Sequence, residues 1–106
     1  MFINLTPHEV TLVDDAGSVL LVIAPETTPA RCTVKREIAF TVGGIKVNRS
    51  VFGEVVDLPE PVTGTWFIVS RIVAEAAKER QDLLIPDETV RNGEGQIVGC
   101  KSFAVV

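Results

Sequence analysis

The sequence has 106 residues, with ten Lys plus Arg against fourteen Asp plus Glu and a formal charge of −4 at pH 7. That length makes one domain, residues 1–106, able to bury about 65% of its unfolded surface without help from metal or disulfides. A hydrophobic content of 46% excludes a disordered tail, the acidic balance argues against non-specific nucleic-acid binding, and no apolar run nears the roughly 20 residues of a membrane span.

Turn signals fall at short intervals, at Asp14–Gly17, Pro25–Pro29, Gly43-Gly44, Leu58–Gly64, Pro86-Asp87 and Asn92–Gly95. Runs rich in Val, Ile and Phe lie between them, which is the spacing of strands. In chain order these predict strands near Glu9–Asp14 and Ser18–Ile23, joined as a hairpin around Asp15-Ala16-Gly17. Cys32–Val42 and Ile45–Val51 form a second hairpin, with Gly43-Gly44 as a two-residue turn suited to positive φ. Thr65–Val69 is the fifth strand. A helix follows over residues 70–80, with Ser70 as N-cap and Ile72, Val73, Ala76 and Ala77 on one apolar face. Glu75 is placed to pair with Lys78. With Leu83–Ile85 the segment reads as a β-α-β unit, although that last run also suits a plain connector. Gln96–Ala104 is the final strand. The predicted class is α+β, mainly an antiparallel sheet of hairpins with one amphipathic helix.

Two cysteines, Cys32 and Cys100, share no short spacing and have no neighbouring histidine. With no basic leader and cleavage site at residues 1–25, two reduced thiols are expected, and no structural metal site. No cofactor fingerprint is present either, since Walker, GxGxxG and GxSxG patterns are all absent.

The sharpest candidate lies in the second hairpin. A regular two-residue turn sets Ile38 opposite Arg49 and Arg36 opposite Val51, so Arg36 and Arg49 become diagonal neighbours on an apolar face. Two guanidiniums buried there would cost several kcal/mol, on the order of an unpaired buried charge, unless something negative meets them. Glu37 falls on the wrong face in this register. Glu54 and Asp57, a carboxylate of another subunit, and an anionic ligand are the remaining partners. The planar guanidinium fork suits a phosphate.

Ser70 and Arg71 at the helix start form a second candidate, because an anion there would explain a cation in the first turn. The plain alternative is an Arg71–Glu75 pair at i,i+4. The single histidine, His8, sits in Asn4-Leu5-Thr6-Pro7-His8. It reads either as a ligand-orienting group or general base, or as a turn residue tied to the backbone with Asn4 and Thr6.

The motif order Asn4-Leu5-Thr6-Pro7-His8, Phe52-Gly53-Glu54-Val55, Leu58-Pro59-Glu60-Pro61, Ile68-Val69-Ser70, Pro86-Asp87 and Val90-Arg91 resembles a family of short phage and prophage proteins. The resemblance spans most of the chain and implies a phage-associated protein of the host cytoplasm. It transfers no catalytic residue. Some small phage proteins act as homo-oligomeric sponges for nucleotide messengers. The resulting expectation is a binding protein for an anionic, nucleotide-like small molecule, held by Thr6, His8, Arg36, Arg49, Ser70 and Arg71. Two alternatives stand beside it. One is a hydrolase cleaving such a nucleotide with His8 as base, two copies of His8 meeting in a symmetric dimer. The other is a protein–protein interaction module.

Overall fold

The chain divides into a six-stranded sheet and a separate two-stranded arm. The computed structural model describes all residues, Met1–Val106. Along the chain run β1 (Phe2–Asn4), β2 (Val10–Val13), β3 (Val19–Ile23), β4 (Arg31–Val42), β5 (Ile45–Val56), β6 (Trp66–Ile68), α1 (Arg71–Ala76), β7 (Leu83–Arg91) and β8 (Ile97–Ala104). Just over half of the residues are in strands, with one short helix, which is an α+β composition.

The sheet has the order β1-β6-β7-β8-β2-β3. It is mixed, although the longest pairings in the protein, β4–β5 and β7–β8, are antiparallel as expected. β1–β6, β6–β7 and β2–β8 pair parallel, whereas β2–β3 and β7–β8 pair antiparallel. A bridge between Asn4 and Pro25 brings the two outer strands together and nearly closes the sheet into a barrel. β6, α1 and β7 form the anticipated β-α-β unit, with β6 and β7 side by side. The strand beginning at Leu83 runs on to Arg91. Pro86 is tolerated within it because the β6 pairing ends at Leu84, which leaves no ladder on that side for its missing N–H to break.

The helix stops at Ala76, four residues short of the expected end. Tertiary contacts override local propensity there. The chain turns after Ala77 so that Arg80 can form two hydrogen bonds to the Asp82 carboxylate, at 2.9 and 2.8 Å, and lie 5.9 Å from the centre of the Phe67 ring. The buried face of the helix is rotated from the predicted one, because Ile72 is 44% exposed and Ala76 only half-buried, while Ala74 turns inward. Val73, Ala74 and Ala77 are buried against Phe67, Val69, Leu83 and Ile85.

Asn4 is the one buried polar residue of the protein, and its amide is fully engaged. Its Nδ2 donates to the His8 carbonyl at 2.7 Å and to the Ile23 carbonyl at 3.0 Å. Its Oδ1 accepts from the Thr6 N–H at 2.9 Å and lies 2.6 Å from the Thr6 hydroxyl. One side chain thus ties the end of β1 to the end of β3 and fixes the loop that leads from β1 into β2. The Asn4 and Thr6 side chains make that knot, and His8 contributes only its backbone carbonyl.

The β4–β5 arm turns at Gly43 and Gly44, whose φ values of 56° and 80° fit the primed turn anticipated for two glycines. Nearer the base, Gly53 is required for another reason. A Cβ there would collide with the Thr33 side chain across the ladder. Cys32 and Val55 anchor the base to the main core, and beyond them the arm is exposed on both faces.

Replacing Asn4 with Ala strands two carbonyls and an N–H in partly buried positions, each worth about 1–3 kcal/mol. Asn4→Ala is expected to lower stability by about 3 kcal/mol and the thermal midpoint by more than about 10 °C. A loss below about 1 kcal/mol in chemical denaturation would contradict the role given to Asn4. The Arg80 hydrogen bond, with its charge, also holds the Asp82 carboxyl below its ordinary pKa. A depressed folded pKa adds stability that is fully present above the unfolded value, near 3.9, and is lost as the pH falls through the folded value. Stability of the natural protein should therefore fall more steeply on acidification below about pH 4 than that of Asp82→Asn, as read from urea midpoints across pH. Parallel curves would refute the assignment.

Candidate functional site

The arm does not bring Arg36 and Arg49 together. From the turn the register begins as anticipated, with Val42 opposite Ile45 and Phe40 opposite Val47. Ala39 is then an extra residue on β4, and beyond this bulge Ile38 faces Asn48, Glu37 faces Arg49, and Arg36 faces Ser50. A one-residue shift moves the side chains of β4 from Ile38 back to Val34 to the opposite face, until a second irregularity between Val34 and Cys32 restores the register. Arg49 meets Glu37 at 3.1 Å, the carboxylate that the regular register had put on the wrong side. Arg36 lies on the other face and makes no ion pair. Both arginines are exposed, so neither carries the burial cost that called for an anion.

The remaining sequence candidates fall near the body. Thr6 and Ser70 line one concavity of about 320 Å³, together with Pro7, Pro29, Ala30, Arg31, Cys32 and Ile72. Its walls meet because the Ala30 N–H donates to the Leu5 carbonyl at 3.0 Å and the Leu5 N–H to the Ile68 carbonyl at 2.8 Å. These bonds draw the loop before β4 and the loop after β1 onto the strand that leads into Ser70. Ser70 caps α1, its Oγ accepting from the Val73 N–H at 3.3 Å, and its hydroxyl proton remains free to donate. The Thr6 hydroxyl is committed inward, between the Asn4 amide oxygen and the His8 carbonyl at 2.9 Å.

Arg31 is the one charged residue lining this concavity. It pairs with Asp57 at 3.4 Å, with both side chains substantially exposed. Arg71 pairs with Glu75 at 3.4 Å, the plain alternative set out for it above, and Glu75 therefore does not need Lys78. Exposed pairs of this length are worth about 0–1 kcal/mol, so a better acceptor can displace either carboxylate. A larger depression of about 510 Å³ beside Trp66 carries Glu79 and Asp82 with Arg80, a wall that repels anions.

His8 stands outside the concavity. Its backbone carbonyl is held, as described, and its imidazole makes no hydrogen bond or ion pair that would orient it as a base. Cys32 and Cys100 are free thiols in separate places. Burial pushes the Cys100 thiol up, making it a poor nucleophile. Groups of three or more metal-ligating side chains do not form. No helix is long and apolar enough to cross a membrane.

Set against protein-family models, curated proteins and solved structures, the chain matches none.

Arg31 is the site residue that sequence reasoning missed. The pull of Pro25–Pro29 as a turn was legible, but its docking on Leu5 is a contact across the chain that no local pattern encodes. The bulge also yields a direct test. A double-mutant cycle on Glu37→Gln and Arg49→Gln should give a coupling of about 0.2–1 kcal/mol, the range of an exposed cross-strand pair. A coupling above about 2 kcal/mol would mean that the pair is buried and that the arm packs differently.

Proposed function

We propose that the protein binds an anionic, nucleotide-like small molecule in the concavity between the Asn4–His8 loop, Pro29–Cys32 and the start of α1. The observation that carries this reading is a cleft whose sole charged wall residue is a displaceable cation, Arg31, with the free Ser70 hydroxyl beside it. Its volume sits at the lower end of the range for small-molecule sites, which suits a ligand of mononucleotide size. A guanidinium binds two phosphate oxygens at once, and the apolar faces of Pro7, Pro29 and Ile72 give a base or sugar a surface to lie on. Arg71, next to Ser70 in sequence, is a second cation close to the cleft, although it does not line it. Arg36, Arg49 and His8 are not part of this site.

The resemblance to phage and prophage proteins extends the reading to a homo-oligomeric sponge for a host nucleotide signal, acting in the host cytoplasm without chemistry on its ligand. The exposed apolar arm favours a second reading, a protein–protein interaction module, in which Arg31 and Arg71 keep their own carboxylates.

Thermal unfolding in the presence of cyclic and ADP-ribose-type nucleotides tests the site. A bound ligand at a hundredfold excess over its Kd adds about 2.7 kcal/mol, and Arg31→Ala should abolish that shift without lowering the unliganded midpoint by more than about 1 kcal/mol of stability. Chromatography of the released ligand should return it intact. Absence of a shift with every nucleotide, or a shift lost in Arg36→Ala and Arg49→Ala but kept in Arg31→Ala, would overturn the proposal.

A further inference from the structure

The accessible surface of the chain is 7,275 Å², whereas a folded monomer of 11.4 kDa has about 5,800 Å². The radius of gyration is 16.4 Å against about 12.9 Å for a compact domain of this length. The excess of about 1,500 Å² is close to twice the roughly 800 Å² that one partner contributes to a standard interface, and buried on both chains of a dimer it would total about 3,000 Å², in the range of obligate assemblies. The arm accounts for the shape. A two-stranded ribbon is at best marginally stable alone in water, yet this one presents Phe40, Val42 and Ile45 on one face of its tip, 58%, 58% and 70% exposed.

Charge states what covers the tip. The arm, Arg31–Val42 with Ile45–Val56, contains five basic residues (Arg31, Lys35, Arg36, Lys46, Arg49) and two acidic ones (Glu37, Glu54), a net of +3. Subtracting it from the whole leaves five basic and twelve acidic residues, a net of −7 on the body. Two arms therefore repel one another, whereas an arm and a body attract. The body also carries a matching apolar target. β3 pairs on one side only, with β2, and Leu20, its second residue, is 66% exposed, with Val19, Leu21 and Val22 also open. Asp14, Asp15 and Glu26 flank that strand in sequence.

We infer that the β4–β5 arm docks on a second copy of this chain, the Phe40/Val42/Ile45 face covering that copy's β3 and the arm's basic residues lying beside its acidic flanks. Two chains exchanging arms reciprocally form a closed two-fold dimer and satisfy both surfaces. An apolar centre rimmed by complementary charge is the usual composition of such an interface. The inference does not depend on the ligand reading, and its test contains no ligand.

Sedimentation velocity of the full chain should give a dimer, or a multiple of it, that weakens as salt is raised. Phe40→Asp with Ile45→Asp should raise the dissociation constant at least about tenfold while the far-ultraviolet circular dichroism stays native. Because an unpartnered variant could unfold, a second measurement uses the natural protein. Carbodiimide coupling in a mixture of ¹⁴N- and ¹⁵N-labelled chains should yield mixed-isotope peptides joining Lys35 or Lys46 to Asp14, Asp15 or Glu26. A monomer at all concentrations, a folded double variant that still dimerises as tightly, or mixed-isotope cross-links confined to arm with arm would overturn the inference.

Discussion

The body of this protein closes through one buried amide. Asn4 holds the ends of β1 and β3 together and braces the loop that leads from β1 into β2, and all four of its hydrogen-bonding positions are occupied. A polar group at the centre of a small core is tolerated only when satisfied in this way, and it then specifies a single arrangement of the strands that meet there. The candidate site inherits that rigidity. Thr6 and Pro7 form one wall of the cleft because the knot fixes their loop, and the same knot turns the chain back so that Ala30 and Arg31 form the facing wall.

What the sequence made legible was local. The two hairpins, the turn glycines, the Ser70 cap and the β-α-β unit all rest on neighbours within a few residues or on one helical period. Three features were hidden for different reasons. β1 is three residues long, too short to show alternation, and exists because β6 runs beside it. The β2–β8 pairing joins Leu12 to Cys100, a contact of parallel strands that nothing near either residue announces. The arm's register misled in a more instructive way. Val34, Ile38, Phe40 and Val42 alternate as if they shared a face, and nothing in that pattern shows where a bulge, which would turn one arginine outward, falls. With the arm standing free of the core, burial exerts little selection on register, and an extra residue at Ala39 is admitted at low cost.

The candidate site was only partly foreseen for the same reason. Arg36 and Arg49 call for an anion between them only where their apolar strand face is buried. Here the apolar face belongs to an exposed ribbon, so its cations need no ligand, and Glu37 reaches Arg49 directly. Thr6 and Ser70 line one cleft, and the cation beside them is Arg31, at the base of the arm, where the chain leaves the body. The functional reading and the division of charge thus meet at one boundary. An acidic closed body carries the cleft, and a basic, greasy arm reaches away from it.

The arm's register is the point on which this account turns, because it removes the arginine pair as a site and sets which side chains the tip presents. Nuclear Overhauser contacts between cross-strand backbone protons in the labelled protein read that register directly. The account predicts contacts linking Glu37 with Arg49 and Ile38 with Asn48. Contacts linking Ile38 with Arg49 and Arg36 with Val51 would contradict it and return both arginines to a common face.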